Sequence, residues 1–252
     1  MSGLEPHLIW LAIAVTFFAG FVKGAVGFAM PMVMMSAFGS FLPADVALAL
    51  LIMPTLVTNL VQSARHGLGP AIQTTRRYRW HIGMVVVFTF VSAPFARVLP
   101  QPAMYLALGL PITAFALWQL SGRPLSLPIH HQRRAEIVSG IVGGLYGGIS
   151  GIWGPPLIVY LLSTGAAKAE QIRVQGAVFL TGAVMLSVAH LLTGVLNPQT
   201  LPLSLLMTLP GVLGMLFGFA LHDRMDVAQF RRWTLVLLVL TGANLVRRAL
   251  TM

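Results

Sequence analysis

Two glycine-rich stretches ending in proline hold the residues of this chain best suited to chemistry. The first reads Gly20-Phe21-Val22-Lys23-Gly24-Ala25-Val26-Gly27-Phe28-Ala29-Met30-Pro31. The second reads Gly144-Leu145-Tyr146-Gly147-Gly148-Ile149-Ser150-Gly151-Ile152-Trp153-Gly154-Pro155-Pro156. Glycine admits backbone angles closed to other residues, and proline removes an N–H and clashes with the preceding turn. A continuous helix through either stretch is therefore not expected. A break frees N–H groups at the start of the next half-helix, and those donors, at the positive end of its dipole, suit an anion. For isolated pairs such as Gly20/Gly24 or Gly214/Gly218, close helix packing is the plainer reading. A cassette that occurs twice favours the break.

Side chains around the cassettes extend the candidate site. Lys23 is the only charge between Glu5 and Asp45, and a charge near the bilayer centre costs about 2.5–3.5 kcal/mol. It either faces an anion or snorkels at the end of its segment, and the sequence leaves both open. Thr55, Asn59 and Gln62 fall at i, i+4 and i+7, one helical face too polar for lipid, so that face points into the bundle. Gln175 lies in the matching segment of the second half. Phe28 and Trp153 could surround an apolar part of a ligand, and the glycine and proline beside Trp153 are expected to expose its ring. Asp45 and Glu170 stand at matching segment starts, where a carboxylate stabilises a helix N-terminus.

The elements that carry these residues belong in a membrane. Apolar residues make up 57% and charged residues 9% of the 252, against about 25% charged in a soluble domain. Between Arg173 and Asp223 lie 49 uncharged residues, about 74 Å as helix, or two crossings of a core about 30 Å thick. Apolar runs fall near 8–22, 26–42, 46–64, 80–98 and 102–120, then 136–150, 152–166, 173–195, 202–221 and 230–248. The chain is thus expected to be all-α and polytopic, with about 8–10 membrane segments. Residues 1–120 form a first repeat, 121–135 a basic cytoplasmic linker and 136–252 a second repeat. A shift of 124 residues superposes Gly20 on Gly144, Gly24 on Gly148, Gly27 on Gly151 and Pro31 on Pro155.

Charge sets the orientation. The connection after the third segment carries Arg65, Arg76, Arg77 and Arg79 in the first half and no charge in the second. The next connection carries Arg97 alone in the first half but Arg224, Arg231 and Arg232 in the second. Basic loops face the cytoplasm, so the halves read as inverted. Arg247 and Arg248 disagree with ten crossings. The shortness of 8–22 and 136–150 allows re-entrant hairpins instead. No Lys or Arg precedes the first apolar run, so it is expected to be retained rather than cleaved as a signal peptide.

The net charge of +10 is explained by these loops and calls for no nucleic acid. With no cysteine there is no thiolate metal site, and no metal or other cofactor is expected. Gly148-Ile149-Ser150-Gly151, with His190 on a later helix, is similar to the serine motif of rhomboid intramembrane proteases. Neither His66 nor His81 is followed by Asn at the spacing those enzymes use, and the first cassette has Val26 where the second has Ser150. The chain is not expected to be an enzyme.

The cassettes, Pro54 with Asn59 followed by Arg65-His66-Gly67, and Pro210-Gly211 with Gly214 and Gly218, resemble the sulfite exporter TauE/SafE family, also described as toluenesulfonate uptake permeases. The resemblance runs through nearly the whole chain and is closest in the second cassette. Where a further glycine is expected before the first proline, this chain has Ala29 and Met30, against a close backbone approach there. The resemblance implies a multi-pass permease of a bacterial inner membrane that moves sulfite or an organosulfonate. The expected substrate site is Lys23, Gly24, Gly27, Phe28, Pro31, Asn59, Ser150, Gly151, Trp153, Gly154, Pro155 and Gln175. Expected partners are a small anionic substrate, the bilayer and a coupling proton or sodium ion, with a homodimer left open. An anion channel is the alternative.

Overall fold

The computed structural model describes residues 5–64, 68–123, 126–221 and 226–252, and within them every regular element is a helix. In the first half these are α1 (Pro6–Val26), α2 (Met30–Phe38), α3 (Ala44–Ala64), α4 (Leu68–Arg77), α5 (Arg79–Ser92), α6 (Phe95–Val98) and α7 (Gln101–Leu120). In the second they are α8 (Gln132–Ser150), α9 (Gly154–Ser163), α10 (Lys168–Thr193), α11 (Leu201–Leu221) and α12 (Val227–Thr251). Arg65-His66-Gly67 and Arg224 lie outside the described residues.

Seven stretches are long and apolar enough to cross a membrane, on α1, α3, α5 with α6, α7, α10, α11 and α12. The fold is all-helical and polytopic as expected, and two of the ten apolar runs are not single long helices. The runs at 26–42 and 152–166 are broken by their cassettes and keep only α2, of nine residues, and α9, of ten. Either covers about 15 Å, half of a hydrocarbon core. The helices before them are longer than expected, and α8 begins inside the stretch read as a linker.

Each half-helix folds back along its predecessor. Ala14, Val15 and Phe18 of α1 share a groove with Val33, Ser36 and Ala37 of α2, and Gly143 of α8 faces Pro156 of α9. The two hairpins pack alike against the opposite half. Along α1 and α11, Gly20 meets Gly211 and Gly24 meets Met215 and Gly218. Along α8 and α5, Gly140 meets His81, Gly144 meets Met84 and Phe88, and Gly148 meets Thr89 and Ser92. Both pairs run parallel. At the centre α3 and α10 run antiparallel, with Asn59 on the Phe179 carbonyl and Ser63 on that of Gly176.

For Gly20, Gly24, Gly214 and Gly218 close packing wins over the break. Helix α1 passes straight through Gly20 and Gly24, and a Cβ on Gly24 would stand 3.0 Å from the Gly218 Cα. Gly24→Ala must push α1 away from α11. Overpacking of this kind costs about 1–3 kcal/mol, to be read as a lower unfolding temperature of the purified protein.

Candidate functional site

The two breaks are built alike. Helix α1 ends at Gly27, whose φ of 90° lets its N–H close on the Lys23 carbonyl at 2.7 Å. Helix α8 ends at Gly151, φ 70°, whose N–H closes on Gly147 at 2.7 Å. Three residues then separate each helix from the next, Gly27-Phe28-Ala29 and Gly151-Ile152-Trp153, and these triplets are themselves 124 apart. Pro31 and Pro155 each occupy the second position of the following half-helix, where a missing N–H leaves no bond unmade. Ser150 accepts the Ile152 N–H at 3.1 Å. Among the described residues, the N–H groups of Phe28, Ala29, Met30, Trp153 and Gly154 donate to no protein acceptor.

Ala29 explains the glycine expected there. With φ 78° it is the only non-glycine in the left-handed region among the described residues, a conformation that costs an L-residue about 1–2 kcal/mol. The chain meets that strain and still brings the first break to the site. Ala29→Gly is expected to raise stability by about 0.5–1 kcal/mol, once the added unfolded-state entropy is subtracted, measurable as a higher unfolding temperature.

Both breaks face one small cavity. Phe28, Ala29, Pro31 and Met32 line it from the first, Gly151, Ile152, Trp153 and Gly154 from the second, and Lys23, Asn59 and Phe179 from the helices around them. The walls are apolar except at Lys23 and Asn59. Lys23 is buried, with 2% of its surface exposed. Its ammonium donates to Thr58 Oγ1 at 3.0 Å and to Asn59 Oδ1, while Asn59 Nδ2 donates to the Phe179 carbonyl at 3.0 Å. Gln62 Nε2 holds the Gly27 carbonyl at 3.0 Å. No carboxylate meets Lys23: the ion pairs among the described residues are His7–Glu5 and Arg77–Glu170. The side-chain nitrogen of Lys23 thus has two neutral acceptors and no carboxylate partner beside the cavity.

Seven of the twelve expected site residues meet in this cavity: Lys23, Phe28, Pro31, Asn59, Gly151, Trp153 and Gly154. The other five do not line it. Gly24 packs on α11, Gly27 closes α1, and Ser150 bonds back to the Tyr146 carbonyl at 2.5 Å. Pro155 lines a different groove, and Gln175 is half-buried on α10. The expectation of an exposed Trp153 ring is also corrected. Only 2% of the residue is exposed, because its indole is slotted between Gly147 and Gly182. Its Nε1 finds no acceptor. Ala29, Met32 and Ile152 were missed although they sit in or beside the cassettes. Phe179 carried no signal, since only the crossing of α3 and α10 brings it in.

Asp45 and Glu170 stand in the first turns of α3 and α10, and Glu170 accepts from the Tyr78 hydroxyl at 2.7 Å and pairs with Arg77 at 2.8 Å. Ser150 and His190 form no dyad. His190 Nε2 lies 2.8 Å from the Gly148 carbonyl and its Nδ1 3.3 Å from Thr193 Oγ1.

No curated protein and no solved structure matches the chain. A family model, sulfite exporter TauE/SafE, matches residues 12–245, a stretch that contains both cassettes, Lys23, Asn59 and Phe179. The chain belongs to the sulfite exporter TauE/SafE family, and it is accordingly a membrane transporter and not an enzyme.

Proposed function

We propose that the protein is a secondary permease of a bacterial inner membrane that carries a small sulfur oxyanion, with sulfite as the first candidate. The anion binds at mid-membrane depth between the two broken helices, and one bundle rocks against the other to expose it to each side in turn. One observation carries this reading: two half-helix starts and a buried lysine with no carboxylate partner line the same small cavity. An oxyanion there would accept from the free N–H groups of both half-helices and from the third donor of Lys23, meeting donors that protein otherwise leaves unpaired. Asn59 keeps the ammonium aimed while anchored to α10. The small volume favours a compact oxyanion over an arenesulfonate.

The reciprocal packing of α1 on α11 and α8 on α5, with α3 antiparallel to α10, supports an inverted repeat. In such an architecture two equivalent hairpins can exchange roles between outward and inward states.

Purified protein screened by thermal shift against sulfite, sulfate, thiosulfate, methanesulfonate and toluenesulfonate tests the substrate. Sulfite is expected to raise the unfolding temperature most, because a ligand at 100 times its Kd adds about 2.7 kcal/mol. Stabilisation by none of them would remove the anion site. Concentrative sulfite flux in proteoliposomes under a proton or sodium gradient separates a permease from a channel, which only equilibrates its ion.

A further inference from the structure

A second feature lies away from this cavity. An apolar groove runs between α7, α8, α9 and the linker, lined by Val138, Val142 and Tyr146, by Pro156 and Val159, and by Ile129. From Ala135 to Tyr146 it follows α8 for about 16 Å, the hydrocarbon depth of one leaflet. Its linker end is basic. His130, His131, Arg133 and Arg134 lie between its lining residues Ile129 and Ala135, and all four are exposed. Arg133 rests on the Trp80 ring at 4.3 Å. The adjacent carboxylate, Glu136, is buried and turned to the His81 N–H at 3.2 Å, so no acid among the described residues neutralises the two arginines.

The first half supplies an internal control. A groove between α1, α2 and α12 is lined by Ala14, Val15 and Phe18, which lie 124 residues before Val138, Ser139 and Val142. Ile9 and Trp10 stand there in place of Arg133 and Arg134. Glu5 is paired with His7 at 3.1 Å near that end. The two grooves match in position and apolar character and differ in charge.

We propose that the α8–α9 groove binds one anionic phospholipid of the adjoining leaflet, with its phosphate at Arg133 and Arg134 and an acyl chain along Val138, Val142 and Val159. A zwitterionic lipid also presents a phosphate, but its ammonium offsets that charge beside two arginines, and a soluble anion would leave the groove unfilled. The lipid touches α9, whose first residue, Gly154, lines the cavity of the proposed substrate. Occupancy of the groove therefore bears on the half-helix that forms one wall of that cavity.

Native mass spectrometry of the purified protein, with phosphatidylglycerol and phosphatidylcholine supplied in equal amounts, tests this without reference to transport. One phosphatidylglycerol per chain is expected to be retained in preference. Arg133→Gln combined with Arg134→Gln should weaken it by about twenty-five-fold, at about fivefold per arginine. Val142→Trp, which fills the groove and keeps both charges, should also displace it, whereas Phe18→Trp in the matching groove should not. Four results would overturn the proposal: equal retention of both lipids, retention unchanged in the double variant, retention unchanged in Val142→Trp, or a dimer whose second copy covers the groove and excludes lipid. Displacement by inorganic phosphate alone at equal concentration would also count against it, since the acyl chain would then contribute nothing.

Discussion

Lys23→Met is expected to abolish anion binding and transport while the protein still inserts and folds. The ammonium is the one charge lining the cavity, and its removal takes away both the field that attracts an oxyanion and a charge-assisted donor. Loss of one member of a desolvated charge pair costs about 2–5 kcal/mol, or about 30- to 5,000-fold in affinity. Folding is spared because methionine has a similar length and is apolar, and exchange of buried charge for a well-packed apolar group is often neutral or stabilising. Thr58 keeps its bond to the Pro54 carbonyl at 2.6 Å, and Asn59 keeps its bond to Phe179. Sulfite binding by thermal shift and flux in proteoliposomes give the readout. Undiminished flux would return Lys23 to a role in topology. Its burial already argues against snorkelling, since that requires the ammonium to reach water.

Gly154→Leu is expected to stop transport with little loss of stability. A Cβ at Gly154 would meet only Phe179 Cζ at 3.8 Å and Phe28 Cδ2 at 4.0 Å, ordinary contacts, and the rest of the side chain would extend into the cavity. A leucine there takes the volume of the solute, so a reduction in flux of at least about a hundredfold is expected, the equivalent of about 2.7 kcal/mol. Gly151→Leu behaves differently. Its φ of 70° strains any L-residue, and its Cβ would stand 2.7 Å from Leu51 Cδ1, so stability falls together with transport. Comparing the two variants at matched protein levels separates blockage of the cavity from collapse of the break. Normal flux in a folded Gly154→Leu protein would show that the solute passes elsewhere.

Helix breaks were legible because their causes are local. Gly27 and Gly151 take left-handed angles and Pro31 and Pro155 fit only the start of a helix, so a few adjacent residues decide each break. The burial of Thr55, Asn59 and Gln62 was legible for the same reason, as one polar face on one helix. The number of crossings was not. Runs at 26–42 and 152–166 are apolar enough to span, and only the return of α2 along α1 and of α9 along α8 leaves them as half-helices. The role of each glycine was equally hidden. Gly24 and Gly27 are three residues apart in one cassette, yet one is packed against Gly218 and the other ends the helix.

From its own order of residues this chain determined that it lives in a membrane and where its backbone comes apart. Those properties follow from composition and from stereochemistry acting within a turn or two. Tertiary packing alone decided that Phe179 walls the cavity, that Trp153 is slotted between Gly147 and Gly182, and that Lys23 finds Thr58 and Asn59 but no carboxylate. Each of these depends on helices from distant parts of the chain meeting at one level. That meeting is fixed by the joint packing of α1, α3, α10 and α11, which no single stretch of sequence encodes.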